Sequence, residues 1–303
     1  MTAIGFLGLG NMGGPMAANL VRHGHTVRGF DLVGFAVSSA AASGVTPANS
    51  AAEAAAGADI VITMLPTGRH VLEAYPGLLQ AAAPGALFID SSTIDVDDAR
   101  HAHALAQAAG MASVDAPVSG GTGGAAAGTL TFMVGGTPEA YARAEPVLAA
   151  MGRRLVHCGV AGAGQAAKIC NNMILGISMI AVSEAFVLGE KLGLSHQALF
   201  DVASVSSGQC WALTTNCPVP GPVPASPANR GYQAGFATAL MSKDLRLARD
   251  AARAIGADTA LGAHAAEIFS ALEATGGGGA DFSAVIEAIR KRSTGSSAKI
   301  ATT

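Results

Sequence analysis

Charged side chains are scarce in this sequence. Asp, Glu, Lys and Arg make up 13% of its 303 residues, and the net charge is −3. No block of Lys or Arg interrupts it, since Arg153-Arg154 is too short to form a patch, so the composition excludes a nucleic-acid partner. Cysteine is equally sparse. Cys158, Cys170, Cys210 and Cys217 form no Cys-x-x-Cys pair and have no histidine at zinc spacing, so reduced structural thiols and no metal are expected. His101 and His103 lie two apart in a helix-like stretch, so they point to different faces and are expected to meet solvent. No secretory leader is expected either, because no basic segment precedes the apolar start and glycines soon interrupt it. No uninterrupted apolar run reaches the ~18 residues that cross a bilayer, so a cytoplasmic protein with no membrane partner is expected. What is abundant is apolar surface: half of the residues, enough for a substantial core and for two domains.

The first apolar run, Ile4-Gly5-Phe6-Leu7, opens directly into Gly8-Leu9-Gly10-Asn11-Met12-Gly13. A strand before such a turn and a helix after it (Pro15 to about His23) is the context in which glycines let a backbone approach a pyrophosphate. The N–H groups at the helix start then face that anion. Asp31 closes the next strand-like run, 18 residues after Gly13. A carboxylate there accepts hydrogen bonds from the adenine ribose hydroxyls and repels a 2′-phosphate. Leu32, Val33 and Gly34 follow it and offer no cation for that phosphate, so NAD rather than NADP is expected. A loop-capping carboxylate is the plainer alternative.

Up to about residue 160, candidate strands alternate with Ala-rich helical stretches such as Ser50–Gly57 and Val96–Gly110. The strands are Ile4–Leu7, His25–Phe30, Asp59–Leu65, Ala86–Asp90, Ala112–Asp115, Leu130–Val134 and Arg154–Cys158. This alternation predicts an α/β Rossmann domain: a doubly wound, mainly parallel sheet with helices on both faces. Gly128–Gly136 breaks the pattern and suggests a hairpin at the far edge. After Gly162 the strands stop. A helix from about 164 to 192 is apolar on nearly every face, which predicts burial on all sides, between domains or between subunits. Further helices are expected at His196–Val205, Asp244–Ile255, Leu261–Glu273 and Phe282–Arg292. Prolines 218, 220, 222, 224 and 227 forbid regular structure across Cys217–Gly235, and flanking Trp211, Tyr232 and Phe236 favour an ordered cover there. Gly276–Gly279 reads as a flexible joint. The resulting division is 1–162 for the NAD-binding Rossmann domain, 163–292 for an all-α domain joined by the long helix, and 293–303 for a flexible tail.

Four segments carry candidate chemistry. Lys168 and Asn172, i and i+4 on the apolar helix, project from one face. Desolvation there would bring a lysine toward acid–base use near neutrality, whereas a lysine near a helix start also snorkels readily to water; both readings stand. Asp115 to Gly121 ends in a Ser-Gly-Gly turn whose N–H groups and hydroxyl suit a small carboxylate, or which simply turns the chain. Asp90-Ser91-Ser92-Thr93 sets hydroxyls at a strand's carboxyl end, or merely caps the next helix. Lys243, in Ser242-Lys243-Asp244-Leu245, is by spacing alone an ordinary surface charge.

Taken in order, these motifs resemble one family. Gly8 through Leu20, Asp115 to Gly121, Gly128-Thr129-Leu130-Thr131, Gly164 through Met173 and Lys243-Asp244-Leu245 together are similar to the β-hydroxyacid dehydrogenases, over Ile4 to about Arg292. Ser206-Ser207-Gly208, Trp211-Ala212-Leu213 and the proline-rich loop resemble its hydroxyisobutyrate branch. The resemblance implies a Rossmann domain, a long shared helix and an all-helical C-terminal domain, assembled as a homodimer or homotetramer. It implies that Lys168 is catalytic and Asn172 catalytic and substrate-orienting. Ser119, Gly120 and Gly121 would bind the substrate carboxylate, with Trp211 and Lys243 also at the substrate. Gly8, Leu9, Gly10, Asn11, Met12, Gly13, Asp31, Leu65, Pro66, Thr93 and Lys243 would contact the cofactor. The activity implied is NAD-dependent oxidation of 3-hydroxyisobutyrate to methylmalonate semialdehyde, in valine catabolism. Two alternatives remain: reduction of tartronate or succinate semialdehyde, and a non-catalytic dinucleotide-binding module.

Overall fold

Short apolar strands and small-residue helices alternate through the first 159 residues of the computed structural model, which describes residues 1–300. In chain order these are β1 (Ala3–Leu7), α1 (Gly13–Arg22), β2 (Thr26–Phe30), α2 (Gly34–Ala41), β3 (Thr46–Pro47), α3 (Ala51–Ala55), β4 (Ile60–Thr63) and α4 (Gly68–Ala81). There follow β5 (Leu87–Asp90), α5 (Val96–Ala108), β6 (Ala112–Asp115), β7 (Val118–Ser119), α6 (Gly121–Ala127), β8 (Leu130–Gly135), α7 (Pro138–Leu148) and β9 (Gly152–Gly159). The sheet order is β3-β2-β1-β4-β5-β6-β8-β7, with β9 on β8. All pairs from β3 to β6 are parallel.

Strand alternation explains the two layers. Ile4, Phe6, Ile60, Ile62, Leu87 and Ile89 face one core, whereas Leu7, Val61 and Phe88 face the other. A sheet buried on both faces reads as continuous apolar runs, which is how β1, β4 and β5 read. Side-chain caps start several helices: Ser50 accepts from Glu53 N, Asp95 from Asp97 N and Thr137 from Ala140 N. β2 and β4 flank β1, so the strand order reverses at β1 and a crevice opens at its carboxyl end.

The expected hairpin takes a different form. β8 does run antiparallel, pairing with Asp115 of β6 and with Val118 and Ser119 of β7, but α6 rather than a tight turn leads into it. β9 then pairs parallel to β8 at the edge. The two-residue strands β3 and β7 are too short to show a period. Helices α4 and α7 hold Pro76 and Pro146 inside them, which masks their helical pattern.

By contact density the chain forms two units, Met1–Lys168 and Ile169–Thr303. Helix α8 (Ala163–Lys191) carries the chain from one to the other, and all other elements of the second unit are helical: α9 (His196–Ala203), α10 (Trp211–Thr214), α11 (Thr238–Ile255), α12 (Ala260–Ala274) and α13 (Val285–Ile300). Its core joins Met179 and Phe186 of α8 to Leu213, Met241, Leu245, Phe269, Val285 and Ile286. α8 is long and apolar enough to cross a membrane by length and composition, yet it carries buried Gln165, Lys168, Asn172 and Ser183. It is not buried on every side in the single chain: Cys170, Ile174, Ala181, Ala185 and Leu188 form an exposed stripe.

The proline-rich segment is held by specific bonds. Asp281 accepts from the N–H groups of Gly235 and Phe236 and from the Asn216 amide, and the Tyr232 hydroxyl donates to the Pro218 carbonyl. One 3₁₀ turn, Pro227–Arg230, interrupts it. Gly277–Gly279 is a second such turn rather than an open joint. The tail expected from Ser293 is helical as far as Ile300, because α13 continues through it; 301–303 lie outside the described residues.

Candidate active site

The glycine-rich turn leaves the carboxyl end of β1, and each of its glycines has a separate physical reason. Gly8 has a positive φ of 91°, and a Cβ there would lie 2.2 Å from the Met64 carbonyl oxygen. At Gly13 a Cβ would lie 1.8 Å from the Gly8 carbonyl oxygen. These two positions are demanded by the turn itself. Around Gly10, in contrast, nothing beyond its chain neighbours lies within 4 Å of the would-be Cβ, which leaves room there for a ligand. A cleft of about 420 Å³ borders it, lined in part by Leu9, Gly10, Asn11, Gly14, Pro15 and Arg22. No side chain caps α1; Gly14 N–H bonds the Gly10 carbonyl at 3.0 Å and Pro15 has no N–H, so the Gly13 N–H is the one at the helix start that can face an anion. Asp31 is locked beside this turn, its two oxygens accepting from Leu9 N at 2.7 Å and Val33 N at 2.8 Å. A carboxylate has about four acceptor sites, so two remain for ribose hydroxyls. Turn, open glycine and aimed carboxylate therefore fit an unphosphorylated dinucleotide.

Leu65, Pro66 and Thr93 sit at the carboxyl ends of β4 and β5, next to that turn in the sheet order. Asp90 organises them. Its Oδ1 accepts from the Thr63 hydroxyl at 2.7 Å and from Ser92 N at 3.1 Å, and Ser92 Oγ in turn accepts from Leu65 N at 2.8 Å. Burial pushes the Asp90 carboxyl up to about 6, against the opposing pull of its bonds to Ser92 and Thr63. Burial likewise raises the neighbouring Tyr75 phenol.

Asp115, at the end of β6, fastens the start of α8. Its oxygens accept from Gly162 N and Gln165 N, each at 2.8 Å, and from His103 Nε2 at 2.9 Å. The Gln165 side chain completes the joint, donating to the Ser92 carbonyl at 2.7 Å and accepting from Ile94 N at 3.2 Å. Lys168 follows within one turn and is 6% exposed, which removes the snorkelling reading. His103 corrects an expectation. It does not face solvent but bridges Asp115 and the Ser113 hydroxyl, because Asp115 needs a donor beyond the helix N–H groups.

Beyond Lys168, Asn172 lies one turn further along α8 and is 1% exposed. Its Nδ2 donates to Asp244 Oδ2 at 2.5 Å, and its Oδ1 accepts from Asn171 Nδ2 at 2.9 Å. Lys243 Nζ stands 3.7 Å from Asp244 Oδ1, with a quarter of its side chain exposed, so it is not the fully solvated charge that its spacing suggested. The Ser119 turn is sharp: Gly120 and Gly121 have φ of 132° and 61°, and lead from β7 straight into α6. Trp211 stands apart from these groups in the chain, opening α10 with half of its surface exposed.

Thus the structure joins Asp31 to the glycine turn and Leu65 to the Ser92–Thr93 segment within the first unit, and Asn172 to the Lys243-Asp244 pair within the second. The organising roles of Asp90, His103, Asp115, Gln165 and Asp244 escaped sequence reasoning. Asp90 and Asp115 had one available signal, each being an acid that ends an apolar strand. Among the described residues no group of three His, Cys, Asp or Glu is placed to hold a metal ion.

Comparison with known proteins fits this geometry. Residues 3–159 match the family model for the NAD-binding domain of 6-phosphogluconate dehydrogenase. Residues 162–289 match that for the NAD-binding domain of NADP-dependent 3-hydroxyisobutyrate dehydrogenase. The chain is 61% identical to a probable 3-hydroxyisobutyrate dehydrogenase of Mycobacterium tuberculosis, covering 96% of this chain and 99% of that protein. It is 48% identical to an NAD-dependent L-serine dehydrogenase of Pseudomonas aeruginosa, covering 94% and 97%. The solved structure of Mycobacterium tuberculosis 3-hydroxyisobutyrate dehydrogenase with L-serine superposes with a TM-score of 0.93 at 61% identity, covering 96% of this chain and 99% of that one.

Proposed function

The chain belongs to the 3-hydroxyisobutyrate dehydrogenase family and is an NAD-dependent oxidoreductase, and from that premise we propose that it oxidises 3-hydroxyisobutyrate to methylmalonate semialdehyde, with Lys168 relaying the proton. NAD, when bound, supplies the hydride acceptor. Residues 1–162 serve as its binding domain, with the glycine turn on the pyrophosphate, Asp31 on the ribose, and Leu65, Pro66 and Thr93 on the rest; Lys243, from 163–292, also contacts it. Residues 163–292 serve substrate binding and assembly. Ser119, Gly120 and Gly121 hold the substrate carboxylate, Asn172 orients the hydroxyl, and Lys243 and Trp211 border the substrate. As the carbinol carbon loses hydride, its hydroxyl proton passes to the Lys168 amine. Holding both ends of the substrate makes the transfer near-unimolecular, which lowers the barrier by several kcal/mol. Proton transfer by a positioned group adds ~10²–10⁴-fold.

The observation that carries this reading is Lys168 itself: a 6% exposed amine one turn before Asn172, on a helix whose start is fastened to the strand ends. The same reading places the enzyme in the cytosol, at a step of valine breakdown, as a homodimer or homotetramer with no nucleic-acid or membrane partner. The exposed apolar stripe of α8 supports self-association.

A second reading, oxidation of L-serine, is favoured by two observations: the 48% identical relative is named for that activity, and the 61% identical solved structure is that of a dehydrogenase with L-serine. A panel of 3-hydroxyisobutyrate, L-serine, 3-hydroxypropionate and the tartronate and succinate semialdehydes, each with NAD(H) and NADP(H), separates the readings. The highest kcat/KM is expected for 3-hydroxyisobutyrate with NAD. A higher value for L-serine or for a semialdehyde reassigns the substrate, and no turnover with any of them leaves a dinucleotide-binding module.

A further inference from the structure

A carboxylate can only accept hydrogen bonds, so whatever amide end meets it must be the NH₂ end. Asp244 is 2% exposed on α11 and presents Oδ2 to Asn172 at 2.5 Å. We propose that Asp244 is a positioning residue for the reaction: it dictates the orientation of the Asn172 amide, and with it which of that amide's groups remain for the substrate. This rests on the assignment of Asn172 to the substrate. An amide rotated by half a turn has nearly the same shape and opposite hydrogen-bond polarity. Packing alone therefore cannot choose between the two orientations, and an acceptor-only neighbour can. One further contact strengthens the choice. Asn171 Nδ2 donates to Asn172 Oδ1 at 2.9 Å, as the same orientation requires. Lys243 Nζ lies 3.7 Å from the other Asp244 oxygen, which sets a cation on the far side of the carboxylate from Asn172. Neither Asp244 nor Lys243 is near Asn172 in sequence: α11 brings the acid across 72 positions to the third turn of α8.

The charge, not the bulk, is what the proposal requires of Asp244. In Asp244→Asn the shape is kept but the neighbour can present either a carbonyl or an NH₂, so both Asn172 orientations become populated. Turnover is expected to fall about 10-fold, the discrimination of one misdirected charge-assisted bond. NAD affinity should change by less than turnover does, since the glycine turn and Asp31 are untouched.

A merely structural role would also slow the enzyme, so the deciding experiment is a double-mutant cycle on kcat with Asn172→Ala. If Asp244 acts through Asn172, Asp244→Asn costs less than twofold once Asn172 is Ala. The same 10-fold loss in both backgrounds overturns the proposal, because Asp244 would then act without Asn172. Wild-type turnover in Asn172→Ala alone overturns the assignment of Asn172 to the substrate, a different outcome. Asp244→Ser, smaller and neutral, carries the same cycle should Asp244→Asn not fold.

Discussion

The glycine turn after β1 and the polar cluster on α8 are built on opposite plans. In the turn, geometry is set by the backbone over six residues: a Cβ at Gly8 or Gly13 would strike a carbonyl oxygen, whereas Gly10 and Asn11 are exposed. In the cluster the side chains matter and their partners are remote. Asp115 reaches Gly162 across 47 positions, and Asp244 reaches Asn172 across 72. Cofactor recognition is therefore encoded locally, whereas the placement of Lys168 and Asn172 is a property of the folded whole. A buried amine or amide is expensive unless its surroundings are satisfied, so the second plan requires buried carboxylates that the first does not.

Substitutions can break this contrast, and the largest effect is expected in the turn. Gly13→Ala puts a methyl 1.8 Å from a carbonyl oxygen, so it should destabilise the first unit by about 3 kcal/mol or more and abolish NAD binding. Gly10→Ala meets nothing beyond its chain neighbours, so its melting temperature should stay near wild type while NAD affinity falls. Thermal melts with and without NAD read both; equal melting losses in the two variants would erase the distinction between protein-facing and ligand-facing glycines.

Asp90 sharpens the contrast through pH. Its folded value of about 6 lies above its ordinary 3.8, so the native state holds the proton longer than the unfolded chain does. Its contribution is fully favourable below about 4 and is lost as pH rises through 6, an effect of about 3 kcal/mol across that window. Denaturant melts of wild type and Asp90→Asn from pH 4 to 8 should diverge with that sign. Parallel curves would show that Asp90 does not titrate there.

Asp31→Asn is expected to be the mildest. Losing the charge at the ribose should weaken NAD by about 1–2 kcal/mol and relax discrimination against NADP. Binding titrations with both nucleotides test it, and an unchanged NAD/NADP ratio would remove Asp31 from cofactor selection.

The same contrast governs how far the sequence can be read. Strands β1, β4 and β5 were legible because each is a continuous apolar run, and α8, apolar on nearly every face, runs from 163 to 191 against an expected 164 to 192. The glycine turn was legible because its reasons are local. The division of α8 into a buried side and the exposed Ile174–Leu188 stripe was not, since apolar residues cover every face and only tertiary packing selects among them. The partnership of His103 with Asp115 was hidden for a similar reason: residues on a helix and a strand end have no common period. Two-residue strands and proline-bearing helices fell below the reach of pattern altogether. At Lys168 the sequence left burial and snorkelling open, and packing decided for burial.

Lys168→Ala, followed by single-turnover oxidation of 3-hydroxyisobutyrate alongside an NAD titration, tests the central claim most directly. Proton relay by this amine predicts a rate loss of ~10²–10⁴-fold with NAD affinity unchanged. A rate near wild type would contradict it, and would leave the buried lysine as a structural cation on a helix whose chemistry lies elsewhere.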